Sequence, residues 1–219
     1  MSATITLAKQ QATAIIQHVN DAEKGKGFLY RCVGCDKEMI VVKGATRKRE
    51  WHFRHAVDSN CTGGRDTALH DYAVQVIMSN DDEVTISNKL KIGYSNPRKE
   101  VSFHGKRSDV TVLHENNDVH FEIFVTHDLD RKKIDIYKTN KIKCVRIDLS
   151  DPYLLTASPE LIKDLLLNQY ENKTVVYWLD EATLEPKSEE ANIINTVLWL
   201  LTIVGVGYLL RNFFRKKQR

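Results

Sequence analysis

The sequence predicts a mixed α/β protein: a sheet flanked by helices, preceded by a small zinc-binding β module and followed by a transmembrane helix. Three observations carry that expectation. From residue 67 onward, segments with helical apolar spacing alternate with short β-branched runs. Residues 25–62 hold three of the four cysteines together with His52 and His55. Residues 193–210 form an uninterrupted run of 18 residues without a charge. A composition of 42% hydrophobic and 28% charged residues excludes a wholly disordered or fibrous chain. Four cysteines in 219 residues are too few for a disulfide scaffold.

The expected organisation is an N-terminal segment and zinc-finger-like module over 1–66, a core over 67–150, and a helix–strand extension over 151–180. A linker over 181–192, a transmembrane helix over 193–210 and a basic tail over 211–219 complete it. Residues 1–24 read as a short strand and a polar surface segment. Over 67–77, Ala68, Leu69, Tyr72, Ala73, Val76 and Ile77 recur at helical spacing. Residues 84–92 and 101–103 read as strands, separated by the turn cluster Gly93-Tyr94-Ser95-Asn96-Pro97. The runs 108–113 and 119–126 flank Glu115-Asn116-Asn117-Asp118 and read as a hairpin. Helical spacing resumes over 129–139 through Ile134 and Tyr137, and 143–149 is again strand-like. A helix over 159–170, with proline in its first turn, and a strand over 174–179 follow.

Cys32-Val33-Gly34-Cys35 is a C-x2-C knuckle, followed by Trp51-His52-Phe53-Arg54-His55 and then Cys61. Two cysteines at this spacing can present both thiolates to one tetrahedral ion, and a histidine and a third cysteine complete a closed Cys3His set. The expected zinc ligands are Cys32, Cys35, His55 and Cys61, with His52 in reserve. Strand alternation points His52 and His55 to opposite faces, so the two are not used together. With four protein ligands the ion is structural. Cys144, isolated in mid-strand, reads as a small buried hydrophobe. Lys43, Arg47, Lys48, Arg49 and Arg54 surround the ligands, and Lys48 and Arg49 are the expected DNA contacts among them.

Asp109 and Glu122 enter neighbouring strands of the predicted hairpin and can project toward one point. Two such carboxylates suit Mg2+ or Mn2+, hard cations that prefer oxygen ligands. Both acids stand in otherwise apolar strands, where a carboxylate is rare unless paired or metal-bound. On these residues alone, a solvated sheet face explains them equally well.

The ordered set of the C-x2-C knuckle, His52-Phe53-Arg54-His55, Cys61, Ala68-Leu69-His70, Ser108-Asp109-Val110 and the 121–127 strand resembles the competence protein CoiA-like family. The strand ending in Arg146-Ile147-Asp148-Leu149-Ser150 is also similar. The resemblance spans residues 28–150. It implies a zinc-finger-like module followed by a restriction-endonuclease-like PD-(D/E)xK core, and a role in DNA processing during uptake or recombination. Asp109 and Glu122 match the motif's two metal-binding acids. The motif's lysine falls at Phe124, a departure that leaves either a nuclease with a relocated lysine or a nuclease-like DNA-binding scaffold that does not cut. Lys132 or Lys133 on the next helix would have to reach the site. His127 is a candidate base, since an imidazole's ordinary pKa lies near neutrality. His70 and Arg107 are expected to face DNA, His70 also being placed to assist metal or phosphate binding.

The formal net charge of +3 (32 basic, 29 acidic) is unevenly distributed. Residues 211–219 hold five basic side chains and no acid, which leaves 27 basic against 29 acidic over 1–210. A helix over 193–210 would be about 27 Å long, near the thickness of a hydrocarbon core. Apolar residues surround it, and the basic tail suits anionic headgroups. An acidic upstream flank and a basic downstream flank favour a cytoplasmic C-terminus. Because the N-terminus lacks the features of a secretory signal, the expected arrangement is a cytoplasmic body on a C-terminal anchor.

Overall fold

The computed structural model describes residues 4–178, apart from residues 26, 45–49, 58–59, 62–63 and 81–82. The described residues form one compact unit. Its first part is a five-stranded sheet made of β1 (Leu7–Gln10), β2 (Ile16–His18), β3 (Tyr30–Arg31), β4 (Glu38–Val42) and β5 (His52–His55). Their order is β2-β1-β3-β4-β5, with every pair antiparallel. Ala8, Val19, Ala22, Tyr30, Met39 and Phe53 form the core beneath it, the Tyr30 and Phe53 rings lying 5.2 Å apart. The N-terminal segment therefore supplies a hairpin and core residues, where its polar composition predicts only one strand and a surface stretch.

Helix α1 (Gly64–Met78) buries Leu69, Tyr72, Ala73, Val76 and Ile77, the i, i+3, i+4 pattern of one apolar face. It packs on β1 and β2 as well as on the second sheet, and so lies between the two. Next come a short hairpin, β6 (Glu83–Thr85) with β7 (Lys91–Gly93), and then β8 (Ser95–Lys99). The single strand expected over 84–92 is thus interrupted at Ser87–Leu90, where the backbone turns. The predicted turn at Ser95-Asn96-Pro97 is instead strand β8. Proline is tolerated there because β8 is an edge strand, with no second neighbour to which Pro97 would have to donate.

A small hairpin, β9 (Ser102–Phe103) with β10 (Lys106–Arg107), leads to β11 (Val110–His114) and β12 (Asn117–Phe124), which pair antiparallel around Glu115 and Asn116. Both turn residues have positive φ (48° and 62°), as a tight two-residue hairpin connection requires. Helix α2 (Arg131–Thr139) follows, N-capped by Asp130 accepting from the Lys133 N–H. It leads into β13 (Lys143–Asp148), which runs parallel to β12. The described residues close with a 3-10 turn (Pro152–Thr156), α3 (Pro159–Leu167), N-capped by Ser158, and β14 (Lys173–Tyr177). The second sheet has the order β14-β13-β12-β11-β8. Helix α3 packs against α1.

Strand β12 is buried on both faces. Phe121 lies against Tyr94 at 6.2 Å, whereas His120 lies 5.6 Å from Tyr137 of α2. Glu122 is thereby placed, by the two-residue period of a strand, on the face that α2 covers. Among the described residues, no helix is long and apolar enough to cross a membrane. The predicted segment 193–210, the linker before it and the basic tail lie outside the described residues, as do Arg47, Lys48 and Arg49.

Candidate functional site

The first candidate site is the cysteine cluster. The knuckle joins β3 to β4, His55 ends β5, and Cys61 lies in the chain that leads to α1. The Cys32 N–H donates to the Lys37 carbonyl, the Asp36 N–H donates to the Cys32 carbonyl, and Asp36 takes positive φ to close the turn. The ligand atoms of Cys32, Cys35, His55 and Cys61 all lie within 4.8 Å of one another, and this group is able to hold a metal ion such as zinc. Cys32 and Cys61 sulfurs are 3.7 Å apart, and Cys35 Sγ is 3.3 Å from His55 Nε2. Zinc–sulfur bonds of about 2.3 Å in a tetrahedron imply sulfur separations of about 3.8 Å, so the spacing suits a single ion. Burial, the Cys35 and Cys32 hydrogen bonds and the charges of those sulfurs push the Cys61 thiol up to about 11. A cation would relieve that crowding. All four ligands expected from the sequence are thus brought together, and His52 turns away to the Glu50 carbonyl.

Gly34 has a packing reason to lack a side chain. A Cβ there would come within 2.6 Å of the Gly64 Cα, a backbone atom at the start of α1. Gly34→Ala should therefore lower thermal stability by roughly 1–3 kcal/mol, as overpacking does. Calorimetry checks this, and an unchanged melting temperature would refute the close approach. Purified protein should carry about one zinc per chain, as a single Cys3His site implies. Elemental analysis of Cys35→Ser should show that metal lost.

The second candidate site is a cleft of about 740 Å³ at the C-terminal end of β12, where α1 and the start of α2 converge. Asp109, Glu122, Lys133, His70, Phe124, His127 and Arg146 are among its lining residues. Crevices at the carboxyl ends of parallel strands are the usual ligand sites of open α/β sheets. One Asp109 oxygen accepts the Ile123 N–H at 2.7 Å and lies 3.3 Å from His70 Nε2. Glu122, with its side chain only 4% exposed, accepts from Lys133 Nζ at 2.6 Å on Oε2. Its other oxygen accepts from the Tyr137 hydroxyl.

Burial pushes the Glu122 carboxyl up, and the nearby Asp109 charge adds to this. The Lys133 charge and the hydrogen bonds from Lys133 and Tyr137 only partly offset them, leaving it at about 7. Burial opposes ionisation of Asp109 too, but the His70 and Ile123 hydrogen bonds and the charges of His70 and Lys133 hold it below its ordinary value. Hydrogen bonds to Asp109 and Asp71 raise His70 to about 9 against its burial, so it is cationic at neutral pH. The lining holds five carboxylates (Asp66, Asp109, Glu122, Asp128 and Asp130) against Lys133, Arg146 and His70. Arg146 is already gripped by Asp128 at 2.6 Å and Asp148 at 3.2 Å. The cleft is therefore short of positive charge.

Of the residues singled out in the sequence, Asp109, Glu122, Lys133 and His70 meet here. His127 lies on the exposed rim. Lys132 is exposed and does not line the cleft, because the 100° helical step that aims Lys133 inward turns its neighbour away. Arg107 is exposed and paired with Glu100 at 3.0 Å. Phe124 lines the cleft with the Arg146 guanidinium 4.5 Å above its ring. Two residues of the site went unrecognised in the sequence. Arg146 reads there only as part of a strand that takes part in the resemblance, with no role of its own. Tyr137 reads there only as an apolar helix position, although its spacing of four from Lys133 placed it on the same helical face. No family model matches the chain, and neither a curated protein nor a solved structure is significantly similar to it.

Proposed function

We propose that the protein is a divalent-cation-dependent nuclease of the CoiA-like type, acting on DNA and tethered to a membrane by residues 193–210. The reading rests on one observation: Lys133 of α2 reaches Glu122 beside Asp109, supplying from the next helix the ammonium group that Phe124 lacks. The donor set suits Mg2+ or Mn2+, being two carboxylates in a cleft with too little positive charge. When bound, such an ion would polarise a phosphodiester and lower the pKa of a water. Asp109 is held in place and in its ionised form by the Ile123 N–H and by His70. Lys133, its side chain 15% exposed, would orient a nucleophile and stabilise developing negative charge. His127 stands at the rim, where an imidazole can exchange protons with solvent.

Wild type and Asp109→Ala should differ sharply on plasmid and single-stranded DNA in Mg2+ or Mn2+. Equal cutting by the two would reject the nuclease reading. The acid surplus also predicts cation-first binding: DNA should bind much more tightly in Ca2+ than in its absence, measured by fluorescence anisotropy. Equal affinity in both conditions would place DNA outside the cleft.

Phe124 at the motif position favours a second reading, a nuclease-like DNA-binding scaffold that does not cut. Calorimetric Mn2+ binding separates the two: the nuclease reading requires a Mn2+ site that Glu122→Ala removes. Tethering has its own measurement, since deletion of residues 191–219 should move the protein from the membrane pellet to the supernatant.

A further inference from the structure

Both oxygens of Glu122 are held from a single helix. Lys133 and Tyr137 are four residues apart on α2, so their side chains lie one above the other on one face. Lys133 takes Oε2 and the Tyr137 hydroxyl donates to Oε1. Tyr137 itself is fully buried, its ring 4.8 Å from that of Phe103. Phe103 also meets the His120 ring edge-on at 4.8 Å. A phenol carries one proton, and that of Tyr137 goes to Glu122. His120 Nδ1, 3.3 Å from the phenol oxygen, is then the donor to Tyr137. The order of donation is His120 to Tyr137 to Glu122, and each member is buried.

We propose that Tyr137 is a positioning residue for a cation site in the cleft: its hydroxyl, held by His120 and Phe103, fixes the rotation of the Glu122 carboxylate beside Asp109. The inference rests on the nuclease reading's assignment of Asp109 and Glu122 as cation ligands. The last torsion of a glutamate is broad and roughly two-fold, so a carboxylate held by one flexible lysine samples many orientations. A second, rigid donor on the other oxygen removes that freedom. Helix α2 is itself fixed at its start, where Asp130 caps it and accepts from Lys106 at 2.8 Å. The aromatic cluster at Tyr137 and the cap at Asp130 thus set the helix that delivers both donors.

The test is Mn2+ binding to the zinc-loaded full-length chain in detergent, without DNA, followed by electron paramagnetic resonance at fixed pH. Tyr137→Phe should bind Mn2+ about tenfold more weakly, the usual cost of losing an outer partner of a metal-ligating carboxylate. Zinc content should stay at the wild-type level. In cleavage assays the Mn2+ concentration for half-maximal rate should rise by the same factor, with the KM for DNA unchanged at saturating Mn2+. A purely structural role would not move one constant without the other. Folded Tyr137→Phe with wild-type or tighter Mn2+ affinity would overturn the inference. Where Tyr137→Phe does not fold, His120→Leu takes its place. It removes the donor behind the phenol and should weaken Mn2+ binding in the same direction, whereas unchanged affinity would overturn the inference. Absence of Mn2+ binding by the wild type is a separate result, and it would remove the cation assignment itself.

Discussion

Lys133→Met should cut DNA about 100-fold more slowly than wild type or worse, the usual cost of deleting a preorganised donor at a site of developing charge. Methionine keeps most of the apolar stem, so packing at the start of α2 survives while the ammonium is lost. Mn2+ should bind this variant no more weakly, because the lysine competes for Glu122 Oε2. Lys132→Met should cut at the wild-type rate, since Lys132 is exposed and lies outside the cleft. The sharper experiment adds Phe124→Lys to Lys133→Met. Position 124 is two residues beyond Glu122, so a lysine there shares its face and enters the same space. The added charge would sit near Arg146, but Asp128 and Asp148 already neutralise that guanidinium. The double variant should regain about tenfold over Lys133→Met, a partial return within the range one such donor contributes. Recovery would show that the cleft needs an ammonium beside Glu122, whichever element supplies it. A Lys133→Met rate equal to wild type would end the relocated-lysine account.

How far the sequence reaches follows from which interactions are local. The zinc ligands were legible because their spacing is itself the signal, and all four meet. The hairpin around Glu115 and Asn116 was legible for the same reason, since turn chemistry and strand alternation are short-range. Asp109 and Glu122 could be paired once the hairpin was drawn. Whether Lys132 or Lys133 entered the cleft could not be read, because that depends on the rotation of α2 against the sheet, set by Phe103, His120 and Tyr137. Tyr137 was hidden because a buried aromatic serves packing and hydrogen bonding with the same letter. Strand β8 was missed for a related reason: Ser95-Asn96-Pro97 has turn composition, and only its place at the sheet edge makes it a strand. The N-terminal hairpin was undervalued because its few buried apolar residues, Leu7, Ala8 and Ile16, stand among polar neighbours such as Lys9, Gln10, Gln11 and Gln17.

Glu122→Gln should abolish cation-dependent cutting and, at the same time, gain stability relative to wild type as pH rises. The Glu122 carboxyl stands at about 7 in the folded protein against 4.5 for the ordinary group. Its folded pKa is raised, so its contribution to stability is complete below about pH 4.5 and is lost as pH climbs through about 7. A shift of that size corresponds to about 3 kcal/mol. Glutamine has no proton to lose, so the difference in unfolding free energy should move in the variant's favour by about 3 kcal/mol between pH 4 and pH 8. His70, raised to about 9, destabilises both proteins in the same direction at higher pH and cancels in that difference. The other groups facing Glu122 (Asp109, Lys133, Tyr137, Cys144 and His120) are likewise common to both. Urea unfolding without added divalent cation measures the difference, and a flat profile across this range would refute the burial-and-Asp109 account of the shift. Mn2+ should then reverse it. At pH 8 the ionised pair of acids gains a counter-charge, so the ion stabilises wild type in proportion to its occupancy and leaves Glu122→Gln nearly unchanged. A carboxylate that costs stability when ionised and regains it only with a cation is expected at a cation-binding site, whereas a structural ion pair between Glu122 and Lys133 alone would give no Mn2+ response in either protein.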